Sequence, residues 1–65
     1  MTLNEFISHQ KHNSVNIRVE VGDDTKFIGD IGCYKHWIGK DQYGNYEIEM
    51  IYFNRIDEMI IQLEE

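Results

Sequence analysis

The sequence predicts a single α+β domain over residues 1–65: an N-terminal helix packed on a four-stranded, mostly antiparallel sheet. Three observations predict it. A helix-start signal stands at Thr2 to Phe6. Apolar and polar residues alternate strictly from Val15 to Val21. Two further apolar segments, Tyr46 to Phe53 and Glu58 to Leu63, are separated only by a polar turn of hairpin length.

Thr2 is a preferred N-cap, and Glu5 three residues later completes a capping box in which each side chain serves the other residue's N–H. Met1 and Phe6 hold the two positions of a hydrophobic staple, and Leu3, Phe6, Ile7 and Gln10 recur at helical spacing. His9, Lys11 and His12 then fall in the last turn, where positive charge suits the helix dipole, and Asn13 suits the left-handed residue that ends a helix. A helix this short is marginal alone, so packing must hold it.

Ser14 to Val21 reads as the first strand, with Val15, Ile17, Val19 and Val21 on one face and Asn16, Arg18 and Glu20 on the other. Gly22-Asp23-Asp24 supplies the turn, and Lys26 to Ile31 returns as a second strand in which Gly29 marks a weak point or bulge. Between the hairpins, Tyr34, Trp37 and Ile38 have helical spacing that Gly39 could close; a short helix and a structured turn fit equally well. Asp41 to Asn45 reads as a turn. Tyr46 to Phe53 is the third strand, with Tyr46, Ile48, Met50 and Tyr52 opposite Glu47, Glu49, Ile51 and Phe53. Asn54 to Asp57 turns the chain into the fourth strand, Glu58 to Leu63, with Met59, Ile61 and Leu63 on one side. Short connections favour antiparallel pairing, and the absence of proline leaves every strand N–H free to join a ladder.

Composition narrows the function. A chain of this length buries about 60% of its unfolded surface, which leaves a marginal core and little room for a formed catalytic pocket. With one cysteine, Cys33, no internal disulfide can reinforce it, and a reducing compartment is expected; self-association or a larger partner is the natural support. The opening residues carry no signal-peptide pattern and no apolar run is long enough to span a membrane, so the expectation is a cytoplasmic protein. Twelve acids against six Lys and Arg give a formal net charge of −6, which opposes direct nucleic-acid binding and favours basic partners.

Two pairs, His9 with His12 and Cys33 with His36, contain residue types that zinc accepts, but strong zinc patterns hold more cysteines; the plainer reading is solvated histidines and a small packed thiol, with no metal or other cofactor. Cys33 with His36 as base, or Glu47 with Glu49 as an acid–base pair, would each need a pocket, so the chain is read as non-catalytic. The glycines form no phosphate loop, and the aromatics around Lys35 and Lys40 lack the basic surroundings that RNA binding needs. The acids carry the functional expectation: Glu20, Asp23 and Asp24 at the first hairpin, Asp30 in the returning strand, and Glu47 and Glu49 on the third strand. If Tyr46 and Ile48 pack under the helix, Glu47 and Glu49 stand on the open face with Ile51 and Phe53. Carboxylates so spaced can take the places of phosphates, with Phe53 as an apolar anchor.

The opening Met1 to Ile7, the strand and turn Val15 to Asp24 and the acidic–aromatic run Tyr46 to Phe53 together resemble, as a pattern of elements, small acidic phage and prophage proteins of Gram-positive bacteria. The resemblance covers most of the chain and matches no signature motif. It implies an inhibitor of the anti-CRISPR kind, which mimics DNA against a basic channel of a host defence nuclease. The alternative expectation is a structural or regulatory module that homodimerises, or docks to another protein, through Ile51 and Phe53.

Overall fold

The computed structural model describes residues 1–65. Its elements are α1 (Leu3–Ser8), β1 (Asn16–Val21), β2 (Asp24–Asp30), α2 (Ile31–Tyr34), α3 (Lys40–Tyr43), β3 (Ile48–Phe53) and β4 (Met59–Leu63). The α+β architecture, with a helix preceding a four-stranded sheet, is the one expected.

The capping box at the start of α1 is formed: Glu5 N–H donates to Thr2 Oγ1 at 3.2 Å, and Thr2 N–H donates to the Glu5 carboxylate at 3.0 Å. The helix stops at Ser8, earlier than the expected end at Asn13. The Ser8 hydroxyl donates to the Glu5 carbonyl at 2.8 Å, and His9 Nδ1 bonds the same oxygen at 2.7 Å. Such side-chain bonds offer the backbone an alternative to a further helical turn. Lys11 and His12 therefore lie beyond the helix, not in its last turn.

The strand order is β2-β1-β4-β3, with antiparallel outer pairs and a parallel pair, β1 with β4, at the centre. The two hairpins are thus joined through their more apolar strands. The segment from Ile31 to Glu47, holding α2 and α3, carries the chain over one face from the β2 edge to the β3 edge. That face is the core. Ile17 and Val19 pair with Met59 and Ile61, and Leu3, Ile7, Ile31 and Tyr34 cover them from the helical layer. An aromatic chain extends the core: Phe27 meets Tyr34 edge-on at 5.6 Å, and Trp37 stacks on Tyr43 at 5.8 Å. Offset and edge-on contacts of this kind add to what burial alone contributes.

The other face of the sheet has no helical layer. One row across the strands, Ile28–Arg18–Ile60–Tyr52, lies on it. Ile60 is buried there beneath its neighbours, while Ile28 and Tyr52 remain exposed.

A bulge between Ile48 and Met50 changes the expected faces of β3. Ile48 pairs with Leu63, Ile51 with Ile61 and Phe53 with Met59, so all three lie on the helical side. Met50 and Tyr52 pair with Gln62 and Ile60 on the bare side. Ile51 and Phe53 therefore do not share an open face with Glu47 and Glu49, as strict alternation predicted. The extra residue resets the period of two.

The β3–β4 turn is held by Asn54, whose side-chain oxygen accepts from Ile56 N–H and Glu58 N–H at 3.1 and 3.0 Å. Asp57 closes it with a φ of 58°, a left-handed conformation that Asp tolerates better than most residues.

Candidate functional site

The sheet topology gathers the acids that the sequence scatters. Because β1 and β4 run parallel, the C-terminus of β4 ends beside the β1–β2 turn: Val21 pairs with both Asp24 and Leu63. The Gln62 side chain donates to the Gly22 carbonyl at 2.8 Å, and the Glu65 carboxylate lies directly over Gly22, whose φ of 60° makes the turn. Because β3 runs antiparallel to β4, its N-terminal end comes to the same edge, and Glu64 N–H donates to the Glu47 carbonyl at 2.9 Å. One end of the sheet thus carries Glu20, Asp23, Asp24, Glu47, Glu49, Glu64 and Glu65.

Positive charge at this end is sparse. Lys26 Nζ stands 3.8 Å from Asp24, and the N-terminal ammonium of Met1 is 2.8 Å from Glu47, which raises the pKa of the ammonium. Arg18 lies further down the sheet, where it pairs with Glu58 at 3.1 Å, and Arg55 sits in the β3–β4 turn at the opposite end. The remaining carboxylates have no cationic partner within ion-pair distance. Thr25 Oγ1 donates to Glu20 at 3.3 Å, which orients that carboxylate without neutralising it.

Two residues expected in the same group stand apart. Asp30 is at the far end of β2, about 20 Å from Asp24 at the usual strand rise. It is the N-cap of α2, and its carboxylate accepts from Cys33 N–H at 2.7 Å, which holds its pKa below the ordinary aspartate value. Phe53 is exposed, but it lies at the end of β3 remote from Glu47 and Glu49, about 13 Å from Glu49. Glu64 and Glu65 have no periodicity of their own and stand after the last strand residue, so the sequence alone does not place them in the group. The signal lay in the apolar run before them: a strand that apolar on both faces belongs in the sheet centre, and its end must emerge beside a turn.

The other constellations do not converge. No group of three or more His, Cys, Asp or Glu side chains is placed to hold a metal ion, so His9, His12, Cys33 and His36 form no joint site. Cys33 is exposed, and the Asp30 carboxylate beside its sulfur raises the pKa of the thiol, the reverse of what an activated nucleophile needs. Asp30→Asn retains a capping side chain and removes the charge. It is expected to raise the alkylation rate of Cys33 by iodoacetamide several-fold near neutral pH. An unchanged rate would show that the carboxylate does not govern the thiol.

A single open groove of about 350 Å³ lies among α1, α2 and α3, lined in part by Asn4, Tyr34, Lys35 and Lys40. Most of its polar side chains are engaged with protein partners; the Asp41 carboxylate is not. Tyr34 OH donates to Asn4 Oδ1 at 3.0 Å, Lys35 Nζ to Asn13 Oδ1 at 2.7 Å and Lys40 Nζ to the Lys35 carbonyl at 2.7 Å. Burial pushes the Tyr34 phenol up to about 12, so it stays protonated across the physiological range. No helix is long and apolar enough to cross a membrane. Comparison with protein-family models, with curated proteins and with solved structures finds no match to this chain.

Proposed function

We propose that the protein is a non-catalytic inhibitor that sets the acidic end of its sheet into the basic, nucleic-acid-binding surface of a host defence nuclease. The reading is supported by one observation above all: carboxylates from three separate sequence segments meet at one end of the sheet, with only Lys26 and the N-terminal ammonium among them. Strands 4.7–4.9 Å apart place charges at spacings that can follow a phosphate backbone. The low dielectric walls of a nuclease channel would strengthen their attraction to lysine and arginine. The pattern resemblance to small acidic phage proteins points to an RNA-guided CRISPR effector as the nuclease. Glu20, Asp23, Asp24, Glu47, Glu49, Glu64 and Glu65 are the contact carboxylates of this proposal; Asp30 and Phe53 lie outside it.

The test is binding to a purified, guide-loaded effector nuclease, followed by competition with double-stranded target DNA. Affinity is expected to fall by at least about tenfold as ionic strength rises from about 0.1 M to about 1 M, since the Debye length shrinks from about 10 to about 3 Å. Glu64→Lys with Glu65→Lys should weaken binding about tenfold or more, whereas Asp30→Asn should not. Salt-independent binding, or failure of DNA to compete, would overturn the proposal.

A further inference from the structure

We infer that β3 is a dimerisation strand, which joins its free edge antiparallel to β3 of a second copy of this chain and makes one continuous sheet across a two-fold axis. The inference does not rest on the proposed function, although Glu49 belongs to both surfaces; it rests on the two sheet edges being built differently.

The β2 edge is guarded. It carries Asp24, Lys26 and Asp30, a glycine at position 29 and a register shift opposite Val19 and Glu20. Charges along an edge are a usual device that stops it from pairing; a bulge occurs on both edges, in β3 at its N-terminal end before Met50, so the charges make the difference. The β3 edge has Glu49 alone in its strand, and its side chains are apolar on both faces. Met50 and Tyr52 stand on the bare face, and Ile51 and Phe53 at the open margin of the helical face, with exposures from 38% to 61%. At Ile48 this edge is already paired, its N–H donating to the Met1 carbonyl at 2.9 Å beside the Thr2–Glu47 bridge; the five exposed residues from Glu49 to Phe53 are the open part and a template for another strand.

The backbone sets which residues face outward. Asn54 N–H donates to the Glu58 carbonyl, so by antiparallel alternation Tyr52 and Met50 also turn their main-chain groups to β4. The N–H and C=O of Ile51 and Phe53 then point away from the sheet.

Charge decides the partner's direction and register. A parallel partner would set Glu47 and Glu49 against their own copies; an antiparallel one sends the two acidic ends to opposite ends of the joint sheet. Outward-facing residues must pair with outward-facing residues. Among the antiparallel registers that satisfy this, the one pairing Ile51 with the second copy's Phe53 also brings Glu49, at the bulge, toward its Arg55, in the β3–β4 turn. Both charge pairs then form by symmetry, and Tyr52 meets its own copy on the axis. Such self-complementarity is what a two-fold interface requires. A dimer also supplies the support that a chain of 65 residues with no disulfide needs.

The experiment is sedimentation velocity on the full chain from micromolar to submillimolar concentration, with circular dichroism confirming the fold of each variant. The wild type is expected to dimerise. Glu49→Arg alone and Arg55→Glu alone should each weaken the dimer about tenfold, by replacing two attractions with two repulsions, and the double variant should restore it. In a Cys33→Ser background, Tyr52→Cys should form a covalent dimer on mild oxidation. Opposed Cα atoms of a non-hydrogen-bonded antiparallel pair lie about 4.5 Å apart, within disulfide reach. Ile28→Cys on the exposed sheet face at the β2 edge should not. A monomer at all concentrations would overturn the inference and leave β3 to a strand of some other protein. A dimer that forms without the Tyr52→Cys cross-link, or that ignores both charge variants, would overturn it by placing the contact elsewhere.

Discussion

Ile61→Ala is expected to remove most of the folding stability, leaving folded and unfolded molecules in comparable amounts at room temperature. Ile61 is fully buried at the centre of β4, flanked in register by Val19 on one side and Ile51 on the other, with the helical layer above it. Truncating such a side chain loses its transfer energy and leaves a cavity, together about 2–5 kcal/mol. A domain of this size has roughly 3–5 kcal/mol in total. The loss is therefore of the same size as the whole stability. Urea denaturation followed by circular dichroism measures it, at fixed protein concentration because any dimer contributes by mass action. Ile28→Ala is the control, since Ile28 is largely exposed on the bare face and its truncation should change stability by less than about 0.5 kcal/mol. A variant at Ile61 that keeps a cooperative transition near the wild-type midpoint would mean that the core is not centred on β4.

Arg18→Ala is expected to destabilise by about 1–3 kcal/mol, more than a surface ion pair would, because it strands a buried carboxylate. Glu58 is 7% exposed on the bare side of the sheet, at the start of the row that leads to Ile60. Its Oε1 accepts from Arg18 Nη2 at 3.1 Å and from Asn54 Nδ2 at 2.9 Å. The arginine stem covers the sheet beneath it, and its Nε is buried with no protein partner. A pair so incompletely satisfied holds the turn in register without adding much net stability. Removing both charges, as in Arg18→Met with Glu58→Leu, should cost less than Arg18→Ala alone and could stabilise the sheet. The double-mutant cycle by urea denaturation reads this directly. If the double variant is the less stable one, the pair contributes net stability and the bare face depends on it.

The acidic end and the β3 edge are separate consequences of one topology. Parallel pairing of β1 with β4 brings Glu65 to Gly22, and places β3, not β4, at the margin. Had β4 been the edge strand, its apolar residues on both faces would have been exposed and the acids of the first hairpin would have had no carboxylate neighbours from the C-terminus.

What the sequence determined by itself was local. The capping box at Thr2 and Glu5, the alternation from Val15 to Val21, the turn at Gly22 and the apolar run of β4 are short-range chemistry, each legible because its partners lie a few residues away. The end of α1 at Ser8 and the helical turn α3 were not legible, since side-chain competition at Glu5 and the packing of Tyr43 on Trp37 decide them. Only the tertiary structure decided that β1 and β4 lie parallel, that a bulge at Glu49 turns Ile51 and Phe53 toward the helices, and that acids distant along the chain share one end. Alternation records which face of a strand is buried, but carries no record of which strand lies beside it. Partner choice follows from burying the most apolar strands at the centre, which is a property of the whole chain.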